Sequence, residues 1–105
     1  MRILITGGKS VQSLKLLKDY EQDVVVLADY GDMPSFPSKQ YKFISLGERN
    51  DDTIAHNLLN HCLDEEVDAI VPLHVFEQEQ VLKSVVLFEE FNVRVLTPNI
   101  NQVIP

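Results

Sequence analysis

The run Asp23–Ala28 (DVVVLA) offers no polar face. Side chains of a strand alternate between the two sides of a sheet, so a run that is apolar throughout has to be covered on both. It therefore belongs inside a parallel sheet with helices above and below. A second run of the same kind, Arg2–Thr6 (RILIT), ends in Gly7-Gly8, which reads as a buried strand feeding a tight turn.

The rest of the chain alternates in the same manner. From Ser10, which can cap a first turn, Val11, Leu14 and Leu17 recur at helical spacing with Lys15 and Lys18 outward, predicting a helix to about Tyr20. Gly31, Pro34 and Pro37 make Tyr30 to Gln40 a loop, and Tyr41–Leu46 (YKFISL) alternates as a third strand nearer an edge. Asn50 or Asp51 can cap a second helix that gathers Ile54, Ala55, Leu58, Leu59 and Cys62 on one face. Asp68–Leu73 (DAIVPL) is a fourth strand with Pro72 at its end, a third helix runs from about Val75 to Phe91, and Val93–Leu96 is a fifth strand.

Right-handed crossovers between such strands give a three-layer α/β sandwich with a parallel, Rossmann-like sheet of about five strands in the order 3-2-1-4-5. A length of 105 residues suits one such domain, expected over 1–96, which buries roughly 65% of its unfolded surface. Thr97–Pro105 has two prolines and no periodicity, and reads as a tail or linker leading away from the domain.

Charge and cysteine usage narrow the setting. Lys and Arg number 9 against 16 Asp and Glu, a net charge of -7, and the basic residues are scattered, which argues against nucleic acid and anionic membrane surfaces as partners. Cys62 is the single cysteine, no apolar run reaches the roughly 18 residues a bilayer requires, and the start lacks a signal-peptide pattern. The expectation is a cytoplasmic protein.

In an open parallel sheet the ligand crevice lies outside the C-terminal strand ends, where the strand order reverses. That point falls between strands one and four. The flanking loops are Gly7-Gly8-Lys9-Ser10 and Pro72-Leu73-His74, with Asp29 on the same edge and Glu77 in the next turn. Gly7 and Gly8 leave room for a ligand, or serve only the bend, and the following helix start offers unpaired N–H groups to an anion. Asp29 stands 22 residues beyond Gly7, near the spacing at which an acid meets a ribose hydroxyl, and equally suits a plain strand end. Gly7, Gly8, Lys9, Asp29, Pro72, His74 and Glu77 form the candidate ligand-binding set.

Several chemistries are disfavoured. Gly8-Lys9-Ser10 mimics the end of a P-loop, but the upstream glycine position is Ile3, and the dinucleotide fingerprint fails at Val11 and Gln12. His56, His61 and Cys62 do not share a helical face, so no metal site is expected. No nucleophile sits on a strand-to-helix elbow with a base, and Thr6-Gly7 stands where a phosphoryl-accepting receiver needs acids. No catalytic residue is assigned.

The ordered set RILITGG, VVVLADYGDMPS, YKFISL, VDAIVPLHVFEQEQVL and VRVLTPN resembles the preATP-grasp domain, the N-terminal domain of ATP-grasp ligases such as carbamoyl phosphate synthetase large chains and biotin carboxylase. The resemblance spans nearly the whole chain. It implies a non-catalytic, substrate-side domain of an ATP-dependent carboxylate-amine ligase, as a fragment or a freestanding relic. Gly7, Gly8, Asp29, Pro72, His74 and Glu77 would line its share of the crevice. This domain alone would bind no cofactor, while ATP and magnesium would belong to a following ATP-grasp module. The alternatives are a small nucleotide- or dinucleotide-binding module on the same sheet and an interaction domain with a vestigial crevice. In a continuous third helix, Val81, Val85 and Phe88 face the sheet, leaving Leu87 and Phe91 exposed as an interface to that module or to a second copy.

Overall fold

The computed structural model describes residues 1–34 and 41–105. Its elements are β1 (Arg2–Thr6), α1 (Val11–Leu16) tightening into a 3-10 turn (Leu17–Tyr20), β2 (Val24–Asp29), β3 (Tyr41–Ser45), α2 (Ile54–Asp64), β4 (Ala69–Val71), α3 (Val75–Lys83), α4 (Val85–Glu90), β5 (Arg94–Val95) and a second 3-10 turn (Ile100–Gln102). The five strands pair in parallel throughout, in the order β3-β2-β1-β4-β5. The expected topology is thus observed. β3 is an edge strand, and of the loop expected over 30–40, residues 35–40 lie outside the described ones.

Alternation along β1 and β2 divides the core in two. Leu4, Val26 and Ile70 face α2, α3 and α4, meeting Leu58, Cys62, Val81 and Phe88. Ile3, Ile5, Val25, Leu27 and Val71 face the other way, toward Leu16 of α1. Fully burying a side chain such as Phe88 contributes roughly 1.5–3 kcal/mol, so this layering supplies most of the driving force.

α2 and α4 end in the same device. Val67 N–H donates to Cys62 O and Glu66 N–H to Leu63 O, and Val93 N–H and Asn92 N–H repeat the pattern on Phe88 O and Glu89 O. Each ending needs one left-handed residue, Glu66 at φ 56° and Asn92 at φ 63°. Val67 and Val93, both buried, then carry the chain into β4 and β5.

The structure corrects the sequence reading in five places. α1 does not bury Val11 and Leu14, which are exposed, but Ser13 and Leu16. Small Ser13, its hydroxyl bonded to Ser10 O, lets this short helix lie close on the sheet. α2 starts after Thr53 rather than at Asn50 or Asp51, whose segment forms a preceding turn. β4 ends at Val71, and Pro72 and Leu73 already belong to the crevice loop.

The third helix breaks at Ser84, whose φ of -115° leaves the helical range while its carbonyl starts α4. The apolar residues Val81, Leu82 and Val85–Phe88 are too many for one stripe, and the β-branched pair Val85-Val86 lowers helix propensity where the break falls. The break turns Leu87 onto the core beside α2, so it is half-buried and not the exposed residue expected. Phe91 is exposed as expected, together with Leu82 and Val86.

Finally, 97–105 folds back rather than leading away. Ile104 N–H donates to Leu73 O at 2.8 Å, and Ile104 O accepts from Val75 N–H at 3.0 Å. Leu96 and Ile104 pack on the α1 side of the sheet, covering apolar surface that the short α1 does not reach. Among the described residues no helix is long and apolar enough to cross a membrane.

Candidate functional site

The turn after β1 begins with Gly7 at φ +66°, a left-handed conformation that side-chain-bearing residues seldom adopt. Ser10 N–H closes the turn on Gly7 O, and Ser10 Oγ accepts from Ser13 N–H at the start of α1. Gly8 serves close packing. A Cβ there would stand 3.0 Å from Ala28 N and from Leu27 C, the backbone of β2. The turn is thereby pressed against β2, and Gly8 N–H donates to Ala28 O at 2.9 Å.

That contact brings Asp29 under the turn. Asp29 Oδ2 accepts from Lys9 N–H at 3.2 Å, and Oδ1 accepts from Tyr30 N–H at 2.9 Å and meets His74 Nε2 at 3.2 Å. Burial works against the carboxylate, but the bonds from His74, Tyr30 and Lys9 outweigh it, and the Asp29 pKa lies below its ordinary value. Burial likewise disfavours the His74 imidazolium. The Asp29 hydrogen bond and the charges of Glu77 and Asp29 prevail, raising the His74 pKa.

Glu77 lies deeper, wholly buried at the first turn of α3. Its Oε1 accepts from Thr6 Oγ1 at 2.5 Å and from His74 N–H at 3.2 Å, while Oε2 accepts from Tyr30 Oη at 2.7 Å. Thr6 Oγ1 in turn accepts from Leu73 N–H at 2.7 Å. Burial raises the Glu77 pKa despite these bonds. The Tyr30 hydroxyl, buried and bonded to a carboxylate, is held well above its ordinary range and acts as a neutral donor. Tyr30, His74 and Phe76 form an aromatic cluster, with the Arg49 guanidinium 3.6 Å above the Phe76 ring.

The candidate residues therefore converge, but most of them form the floor beneath the crevice. Gly7, Gly8, Asp29, Pro72 and Glu77 are buried, His74 is half-buried, and Lys9 is exposed with its Nζ on Tyr30 O at 2.6 Å. Pro72 offers only its carbonyl, to Gln78 Nε2. Sequence reasoning passed over Thr6, Tyr30 and Ile104. A threonine closing an otherwise apolar strand, and an apolar pair Val103-Ile104 in a polar tail, were the available signals.

Beside the turn, Gly8, Lys9, Leu14, Pro34, Tyr41 and Phe43 line a shallow cavity of about 370 Å³. One of about 390 Å³ lies at the opposite edge of the sheet, between Met1, Asp68 and Arg94. The second contains none of the candidate residues, the first has Gly8 and Lys9 alone of them, and we place the candidate site at the glycine turn beside the first, where Asp29 and His74 meet. Among the described residues no group of three or more His, Cys, Asp or Glu side chains is disposed to hold a metal ion.

Fold and crevice together define a Rossmann-like parallel α/β unit, and solved structures share it. A mutated uronate dehydrogenase superposes with a TM-score of 0.61 over 91% of this chain and 38% of its own, at 14% identity. A dTDP-glucose 4,6-dehydratase from Bacillus anthracis, described in complex with NAD, superposes with a TM-score of 0.57 over 92% of this chain and 36% of its own, at 17% identity. The chain thus spans little more than a third of either protein, and at these identities the likeness is one of fold. No family model matches the chain, and no curated protein sequence matches it.

Proposed function

We propose that this chain is a small nucleotide-binding module, not catalytic by itself, which holds a ribose-bearing phosphate at the C-terminal edge of β1, β2 and β4. The observation that carries this reading is the 3.2 Å contact between Asp29 Oδ2 and Lys9 N–H. It sets an acid at the end of β2 against a glycine turn, as ribose and phosphate recognition on one ligand requires. The NAD named for the dehydratase neighbour supports the same reading.

Titration of ¹⁵N-labelled protein with AMP tests it. Shifts are expected at Lys9, Tyr30 and His74, and Asp29→Ala should weaken AMP about tenfold or more while leaving inorganic phosphate unaffected. Absence of shifts at millimolar AMP, or shifts confined to Met1, Asp68 and Arg94, would overturn the reading.

One observation favours a second reading, the substrate-side domain of an ATP-grasp ligase. The carboxylates of Asp29 and Glu77 are engaged by the chain's own donors, which suits a crevice whose recognising groups come from another module. On that reading exposed Leu82, Val86 and Phe91 offer a docking face to the module or to a second copy, and the isolated chain ignores AMP. An ATP-grasp coding region in frame with this one, or adjacent to it, would favour it.

A further inference from the structure

The segment that follows β5 passes over the Gly7 and His74 side of the crevice. Leu96 N–H still pairs with Ile70 O, and Asn99 then opens the second 3-10 turn by donating to Gln102 Oε1 at 2.9 Å. This turn stands beside α1, where Asn101 and Gln102 share a groove with Val11, Gln12 and Lys15. The chain next dips back toward the sheet. Ile104 is held by two backbone bonds, one to each side of His74, and forms a parallel bridge with it.

The side chain of Ile104 meets the glycine turn. A Cβ placed on Gly7 would stand 2.5 Å from Ile104 Cδ1 and 3.5 Å from Leu73 Cβ, so the face that glycine leaves open is filled by isoleucine. The attachment is slight. Among the described residues two backbone hydrogen bonds to the sheet loop fasten it and Pro98, Gln102, Val103 and Ile104 are half-buried, while none of 97–105 is fully buried and Thr97, Asn99, Ile100, Asn101 and Pro105 are exposed. Such sparsely held segments open at far lower free energy than the sheet on which they rest.

We propose that 97–105 is a strap that occupies the Gly7 side of the crevice in the free protein and is displaced when a nucleotide binds. This rests on the nucleotide reading above. The strap and the ligand's phosphate compete for one space, so apparent affinity is reduced by the fraction of molecules with the strap down.

Hydrogen exchange and AMP titration of the wild type and Ile104→Gly test the proposal together. In the wild type the Val75 and Ile104 amides should exchange at least about a hundredfold faster than those of Ile5 and Val71, reflecting local opening. Saturating AMP should speed Val75 exchange further. Ile104→Gly should speed it about tenfold without AMP and bind AMP about tenfold more tightly, with sheet protection retained. If that variant does not fold, which the Ile5 and Val71 amides report, the effect of AMP on wild-type Val75 exchange decides alone. AMP binding that leaves Val75 exchange unchanged, or is equally tight in both proteins, overturns the strap and spares the nucleotide reading. Failure of both proteins to bind AMP overturns the nucleotide reading and the strap with it.

Discussion

His74 Nε2 lies 3.2 Å from Asp29 Oδ1, a contact that passes across the end of β1 and ties β2 to the loop after β4. It places a titrating cation at the centre of the crevice, bonded to an acid that stays ionised through the neutral range. The pair makes local stability depend on pH with a definite sign.

The His74 pKa is raised above 6.5 in the folded chain, so its contribution is complete below 6.5 and is lost as pH rises through the folded value. Asp29 has its pKa lowered from 3.8, so its share is present above 3.8 and vanishes as pH falls through the folded value. Urea unfolding of wild type and His74→Ala should therefore differ most between those limits, by about 1 kcal/mol for a partly exposed pair. The difference should shrink on the alkaline side. A difference that grows from pH 6 to pH 8 would contradict the assignment.

Glu77 is opposite in sign to Asp29 and has the same sign as His74. Its folded pKa is raised by burial above 4.5, so the protonated form is favoured by folding, and stability from this group falls as pH rises from 4.5 toward the folded value. Glu77→Gln keeps an oxygen for Thr6 and the His74 amide and gives Tyr30 Oη an N–H, and should be neutral or stabilising near pH 7. Glu77→Leu strands the buried Thr6 hydroxyl and two partly buried donors, Tyr30 Oη and His74 N–H, and should cost about 2–3 kcal/mol. Thermal melts of both variants at pH 5 and pH 7.5 check the contrast.

Glu66 closes α2 with a left-handed backbone, at φ 56°. Replacing it by glycine removes a Cβ from a conformation that disfavours one, and should raise stability by about 1 kcal/mol, read as a higher urea midpoint with unchanged slope. Asn92→Gly, at the equivalent place after α4, should gain less because asparagine already tolerates that conformation.

Cys62 is fully buried, and burial pushes its thiol pKa up to about 12. It should resist Ellman's reagent in native buffer and react fully in 6 M guanidinium chloride, making it an internal reporter of global unfolding. Rapid labelling under native conditions would place α2 away from the sheet.

Much of the architecture was legible because β1 and β2 are apolar on both faces, a pattern with few other solutions. The strand order and the convergence of Asp29 and His74 on the glycine turn followed from topology. The failures were local. Val11 and Leu14 match a helical stripe, yet α1 ends before its phase matters, and Ser13 takes the buried position because it is small. The break at Ser84 depends on how α3 and α4 fit one sheet, which no window of sequence contains. Thr6 and Tyr30 were missed because their partner, Glu77, is separated from them by 71 and 47 residues.

Glu77 joins the end of β1, the residue after β2 and the start of α3 through one carboxylate. The crevice above it is thus divided between an interlocked framework and a looser lining. Lys9, Gln12 and residues 97–105 stand outside these bonds and can be exchanged one at a time without disturbing them. Thr6, Tyr30 and Glu77 answer to one another, so a change at one of them that removes a bond leaves a polar partner unsatisfied at the strand ends.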